Sequence, residues 1–169
     1  MILETERLYL REMDRNDFRS LCEILQDDDV MYAYEGAFTD GEVQEWLERQ
    51  LARYRQWGFG LWAVILKATD EMIGQCGLTM QPWKEREVLE TGYLFQKQYW
   101  HQGYATEAAG ACIKYAFEVL HAEEVCSIIR DTNIPSQNVA LRNGLVPEET
   151  WVKHYRGIDM PHIRYVIRR

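Results

Sequence analysis

Residues 98–109 read QYWHQGYATEAA: two bulky aromatics, a glycine, then small residues that open a helical pattern. The preceding ETGYLF has strand character, so HQGYA is a turn that delivers several backbone N–H groups at a helix N-terminus. Such a turn is an anion cradle. Gly103 lets the backbone approach a phosphate, and Ala105 and Ala108 keep larger side chains out of its way. The same spacing fits a plain turn glycine followed by a tight helix–sheet contact, and the residues alone leave both readings open. Neither G-x-G-x-x-G nor G-x-x-x-x-G-K-[ST] occurs, which removes the commonest nucleotide-binding loops.

A turn of this kind needs a framework to hold it. The 169 residues are expected to form one domain, 1–169, without the help of a metal or a disulfide. Hydrophobic content of 47% and only four prolines lie outside the disordered range, and no apolar run approaches the ~20 residues of a membrane span. The early charges of MILETERLYL do not make a secretory signal, so a soluble, cytoplasmic protein with no membrane partner is expected. Four cysteines without C-x-x-C spacing and four scattered histidines predict reduced thiols and no metal site. A net charge of -8 argues against nucleic acid and would suit a cationic substrate.

Periodicity predicts the elements. RLYLREM alternates like a half-buried strand, and DFRSLCEIL has helical spacing. Thr39 and Glu42 form a capping box before a helix whose face carries Val43, Trp46, Leu47 and Leu51 and which stops near Gly58. GFGLWAVILK, EMIGQCGLTM and EVLETGYLF read as three successive strands in an antiparallel meander, joined by KATDE and the charged loop WKERE. A buried helix over Thr106 to Leu120, the strand EEVCSIIRD, the short helix PSQNVALRNG and two last strands, TWVKHYR and HIRYVIRR, complete the order β-α-α-β-β-β-α-β-α-β-β.

YLFQKQYWHQGYATEA resembles the acyl-coenzyme A loop of the GNAT superfamily of N-acetyltransferases, specifically its ribosomal-protein alanine acetyltransferase (Rim-like) branch. TERLYLRE, NIPSQNVALRNGL and YRGIDMPHIRYVI resemble that branch at its start, second motif and last strand, so the similarity spans essentially the whole chain. Trp100 departs from the usual Arg or Gln at the first loop position, as is common in that branch. The resemblance implies an α+β (mixed α/β) fold: a central, mostly antiparallel sheet, splayed open at its middle and flanked by helices. Acetyl-CoA would enter the split as co-substrate. Tyr93, Leu94 and Phe95 of the leading strand, His101, Gln102, Gly103, Tyr104, Ala105 and Thr106 of the loop, and Asn133 and Ser136 of the N-x-x-S element would hold it, with the pyrophosphate on the Gln102 to Thr106 amides.

The implied chemistry sets further requirements. An alkyl amine with a pKa of about 10 must lose a proton before it attacks a thioester, and a carboxylate with a water can take it. Glu90 is the expected base because its strand leads into the loop, with Glu35 of YEGAF as a second candidate; Glu90 also reads as a solvated strand-end charge. Glu107, beside the cradle, would have to point away from it. By the resemblance Ser136 is the acid for the departing thiolate, while Asn133 also reads as a helix N-cap. Tyr165 is a second candidate acid that also fits a core tyrosine. A strand N–H around Tyr93 or Leu94 would polarise the carbonyl. Cys112 and Cys126 have no evident His partner and read as core residues, which favours direct attack over a ping-pong mechanism.

The expected function is therefore acetyl transfer to a primary amine, of a protein N-terminus or a small molecule, with a non-catalytic acyl-CoA-binding module as the alternative. Acceptor loops are expected at Asp27 to Thr39, QPWKERE and HYRGIDMPH, where Glu35, Asp27 to Asp29 and Trp83 would receive a cationic amine. A monomer or a homodimer is expected, with an exposed strand edge or Trp57, Phe59 and Trp62 available as a dimer surface.

Overall fold

The computed structural model describes the backbone of residues 1–169 and every side chain but that of Tyr155. Strands β1 (Leu3–Glu4) and β2 (Leu8–Arg11) precede helices α1 (Phe18–Leu25) and α2 (Asp40–Trp57). The meander β3 (Leu61–Leu66), β4 (Glu71–Trp83) and β5 (Arg86–Phe95) leads into α3 (Tyr104–Glu118). After it come β6 (Glu124–Arg130), α4 (Ile134–Arg142), β7 (Val146–Tyr155) and β8 (Ile158–Arg168). The opening strand is thus two short strands, and α3 starts two residues before Thr106 because Gly103 already caps it. The WKERE loop shrinks to a turn, since β4 continues to Trp83 and β5 resumes at Arg86.

All strands join one sheet in the order β1-β2-β3-β4-β5-β6-β8-β7. Every neighbouring pair is antiparallel except β5 and β6, which are parallel and register at Glu90 opposite Cys126 alone. Beyond that row β5 continues beside β4, from Thr91 opposite Leu78 to Phe95 opposite Gly74, while β6 follows β8 to Arg130 opposite His162. With no paired row between β5 and β6 past that point, the sheet splays at its centre.

Both faces of the sheet are covered, which explains why β3 is buried along its whole length. Trp62, Val64 and Leu66 join Leu8 and Leu10 in a cluster with Ala108, Cys112 and Ala116 of α3 and Val139 of α4. Alternate residues Leu61, Ala63 and Ile65 pack on the other face with Leu21 and Ile24 of α1 and Val43, Trp46 and Leu47 of α2. The helices thus lie in pairs on opposite faces of the sheet. α2 starts where expected: the Thr39 hydroxyl accepts the Glu42 N–H while the Glu42 carboxylate accepts the Thr39 N–H, and the helix ends at Gly58 in a left-handed conformation. The suggested aromatic dimer surface does not exist as such, because Trp62 and Phe59 are core residues and only Trp57 is exposed. Among the described residues no helix is long and apolar enough to cross a membrane.

Candidate active site

Where β5 and β6 separate, a cleft of about 350 Å³ passes through the sheet. Its lining comes from both faces: Val30, Trp46 and Arg53 from the α1–α2 side, Glu90 to Leu94 from β5, and Asn133 and Ser136 from the start of α4. Two substrates can reach one point from opposite sides. Glu90 stands at that point. Its carboxylate accepts the Ile128 N–H at 2.8 Å, an amide that β6 no longer offers to β5. Burial drives its pKa up to about 7, against the opposing effects of the Ile128 N–H and the charges of Lys153 and Arg53. A carboxylate poised there takes up and releases protons near neutral pH, the property a general base requires. One row further, the Ser127 hydroxyl donates to the Thr91 carbonyl at 3.0 Å, a last polar link between the separating strands.

The loop after β5 has the form of an anion cradle. His101 and Gly103 both adopt left-handed backbone conformations, and Gly103 is the N-cap of α3. The amides of Tyr104, Ala105 and Thr106 come too early in the helix to find an intrahelical acceptor. A Cβ on Gly103 would lie 3.3 Å from the Arg7 guanidinium. Trp100 anchors the loop, donating its indole N–H to the Phe95 carbonyl at 3.0 Å. Glu107 turns away from the cradle: it accepts from the Thr5 hydroxyl at 2.5 Å, from the Arg7 backbone N–H at 3.0 Å and from Arg7 Nε at 2.8 Å. These hydrogen bonds and the Arg7 charge hold Glu107 below the usual carboxylate range, although its partial burial pushes the other way. Arg7 also donates to the Gln102 carbonyl at 2.9 Å and stacks on Tyr104, which sets a cation beside the helix N-terminus. Nothing in the spacing pointed to Arg7, which is 100 residues from Glu107.

The expected site residues divide by position. Glu90, Tyr93, Leu94, Asn133 and Ser136 come together in the cleft. Asn133 caps α4, its Oδ1 accepting the Ser136 N–H at 3.4 Å, and the Ser136 carbonyl accepts the Tyr93 hydroxyl at 2.9 Å. The cap and the cleft wall are the same residues. Phe95 is buried in the core, where its ring fills the space beside Gly74. Tyr165 is not brought to the cleft; it is 5% exposed and its hydroxyl donates to Gln137 at 2.8 Å. Cys112 and Cys126 are buried; hydrogen bonding to Cys76 and burial push up the Cys112 thiol, and burial takes that of Cys126 to about 12. Neither is a poised nucleophile. Among the described residues no group of three or more metal-ligating side chains converges.

The acceptor side corrects the expectation from acidic residues. Asp27 and Asp28 accept backbone N–H groups of their own loop, from Asp29 and Ala37, while Asp29 pairs with Lys97 and Glu35 with Arg130. Trp83 is fully buried under β7, edge-on to Trp151. Besides Trp46 and His154, what α2 and β7 set in the cleft lining is basic: Arg49, Arg53 and Lys153. Trp46, Arg49 and Arg53 share one face of α2 by helical spacing, a pattern readable in the sequence once the helix is known.

Comparison with known proteins accords with this geometry. Residues 7–146 match the family model of the acetyltransferase (GNAT) domain. The uncharacterized protein YkkB of Bacillus subtilis (strain 168) is 35% identical over 144 residues, 85% of this chain and 84% of that protein. The crystal structure of a GNAT-family acetyltransferase from Bacillus anthracis superposes with a TM-score of 0.83 at 24% identity, covering 98% of this chain and 96% of that one. A ribosomal-protein-S5-alanine acetyltransferase from Vibrio fischeri has the same fold, with a TM-score of 0.77 at 17% identity over 98% of this chain and 95% of that one. A sheet split at a parallel strand pair, a glycine-capped anion cradle and this family match lead to one conclusion: the chain belongs to the GNAT family of acetyltransferases.

Proposed function

We propose that the protein moves the acetyl group of acetyl-CoA to a primary amine by direct attack, with both substrates meeting in the split between β5 and β6. The observation that carries this reading is the position of Glu90 at the point of divergence, with the anion cradle at the end of its own strand. Acetyl-CoA fits the residues present: early helix amides and Arg7 suit a pyrophosphate, and Gly103 leaves the approach free of a side chain.

Each residue then has a defined task. Glu90, through a water, takes the proton that the ammonium group of the acceptor must lose. N–H groups on the open edge of β5 near Tyr93 and Leu94 stabilise negative charge on the carbonyl oxygen. The Ser136 hydroxyl supplies a hydrogen bond or proton to the departing sulfur, with Asn133 holding the helix start that positions it. The test is thiol release from acetyl-CoA at mildly alkaline pH against N-terminal peptides and small amines. Release that needs the amine and falls sharply in Glu90→Gln supports the reading; acetyl-CoA binding with no release from any amine overturns it.

A further inference from the structure

On the acceptor side the cleft is cationic although the chain carries a net charge of -8. Arg49 and Arg53 of α2 and Lys153 of β7 face it, and among the described residues Glu90 is the sole carboxylate in its lining. Arg130, the remaining cation there, is already held by Glu35 at 2.5 Å. Arg53 donates to the Gln50 amide oxygen at 3.1 Å, and among the described residues no ion pair joins Arg49, Arg53 or Lys153 to a carboxylate. Lys153 and Arg53 both act on the Glu90 charge. Burial, followed by repulsion from Arg49, makes Arg53 harder to keep charged.

We infer that the acyl acceptor is a small amine bearing its own anionic group, a carboxylate or a phosphoryl group, a few bonds from the nitrogen. This rests on the acetyltransferase reading above and goes beyond it by naming the acceptor class. The amine must reach Glu90, and the cations flanking Glu90 then lie within reach of an anion close to that amine. A polycationic amine would meet Arg49, Arg53 and Lys153 with Glu90 alone to receive its several charges, because Asp29 and Glu35 are paired and Asp27 and Asp28 are engaged with their own loop. A charge complement arranged this way selects by attraction and by repulsion together.

The experiment compares matched acceptors with the full chain: free amino acids, their decarboxylated amines, their carboxamides, simple aminoalkylphosphonates and a polyamine. The readout is kcat/KM for thiol release. At least one anionic member exceeds its neutral or cationic counterpart tenfold or more, and that ratio narrows toward one in Arg53→Gln and Lys153→Met. The amino acids and the phosphonates separate the two sources of negative charge. If no member turns over, N-acetyl amino acids and N-acetyl amino acid amides are titrated against the CoA-bound protein, and the anions bind at least tenfold tighter. Equal matched pairs, a preferred polyamine or no anion binding overturns the inference. A ratio that survives both substitutions also overturns it, even where the pH profile moves, because the cations would then act on Glu90 alone. CoA affinity is measured separately, so loss of the acetyltransferase reading is distinguishable from loss of this one.

Discussion

The Glu90 carboxylate accepts the Ile128 N–H at 2.8 Å, across the row where β5 and β6 stop pairing. A side chain thus replaces a strand as hydrogen-bond partner, so the wedge that opens the sheet is also the group proposed to take the proton of the acceptor. With a pKa of about 7, Glu90 is mostly protonated at pH 6 and mostly ionised at pH 8. The kcat/KM profile is expected to rise with pH through about 7, then again as the amine itself deprotonates. In Glu90→Gln the first rise disappears and kcat at pH 8 drops about 100-fold. A pH–rate series on both proteins checks this.

The same group makes stability depend on pH. Its folded pKa is raised from 4.5 to about 7, so its contribution is fully present below about pH 4.5 and is lost as pH rises through about 7. Gln cannot ionise but still accepts the Ile128 N–H. Relative to wild type, Glu90→Gln should gain on the order of 2 kcal/mol between pH 5 and pH 8. Denaturant titrations at the two pH values measure the difference directly, and parallel curves would argue against a strongly raised pKa.

Gly103 is left-handed, with φ of 83°, and forms the cradle floor. Gly103→Val is expected to weaken CoA binding at least tenfold through strain of about 1–3 kcal/mol and a side chain in the anion's path. Calorimetric titration of CoA reads this out, alongside a melting curve to confirm that the variant folds.

Arg7→Ala removes the cation beside the α3 N-terminus and takes from Glu107 the Arg7 Nε donor, while the Arg7 backbone N–H remains. CoA affinity should fall about fivefold, with a smaller loss at high salt, because exposed charge interactions are screened. Affinity measured at two ionic strengths tests the charge as opposed to the packing of Arg7 on Tyr104.

Ser136 and Tyr165 were both candidate acids, and their surroundings separate them. Ser136 lines the cleft, whereas the Tyr165 hydroxyl is bound to Gln137 outside it. Ser136→Ala should lower kcat about tenfold or more with little change in KM for acetyl-CoA. Tyr165→Phe should leave kcat within about twofold and cost about 1 kcal/mol of stability through the lost hydrogen bond. Steady-state kinetics and a melting curve on the two variants resolve the assignment.

What was legible in the sequence was local. The Thr39–Glu42 capping box, the Gly58 stop, the strand–turn–helix around Gly103 and the Asn133 cap each depend on residues a few positions apart, and propensity and hydrogen-bonding geometry suffice to specify them. The resemblance of four ordered segments extended that local reading to the family and to a splayed sheet. Tertiary structure decided the rest. Arg7 meets Glu107 across 100 residues of chain, and Glu90 meets Ile128 across 38. The acidic residues of the Asp27 to Thr39 segment suggested a cationic acceptor until folding engaged Asp27 and Asp28 with their own backbone and gave Asp29 and Glu35 to Lys97 and Arg130. Net charge is a sum over the whole chain, but a cleft feels only the charges that face it and lack a partner; that selection is made by packing, after the secondary structure is set.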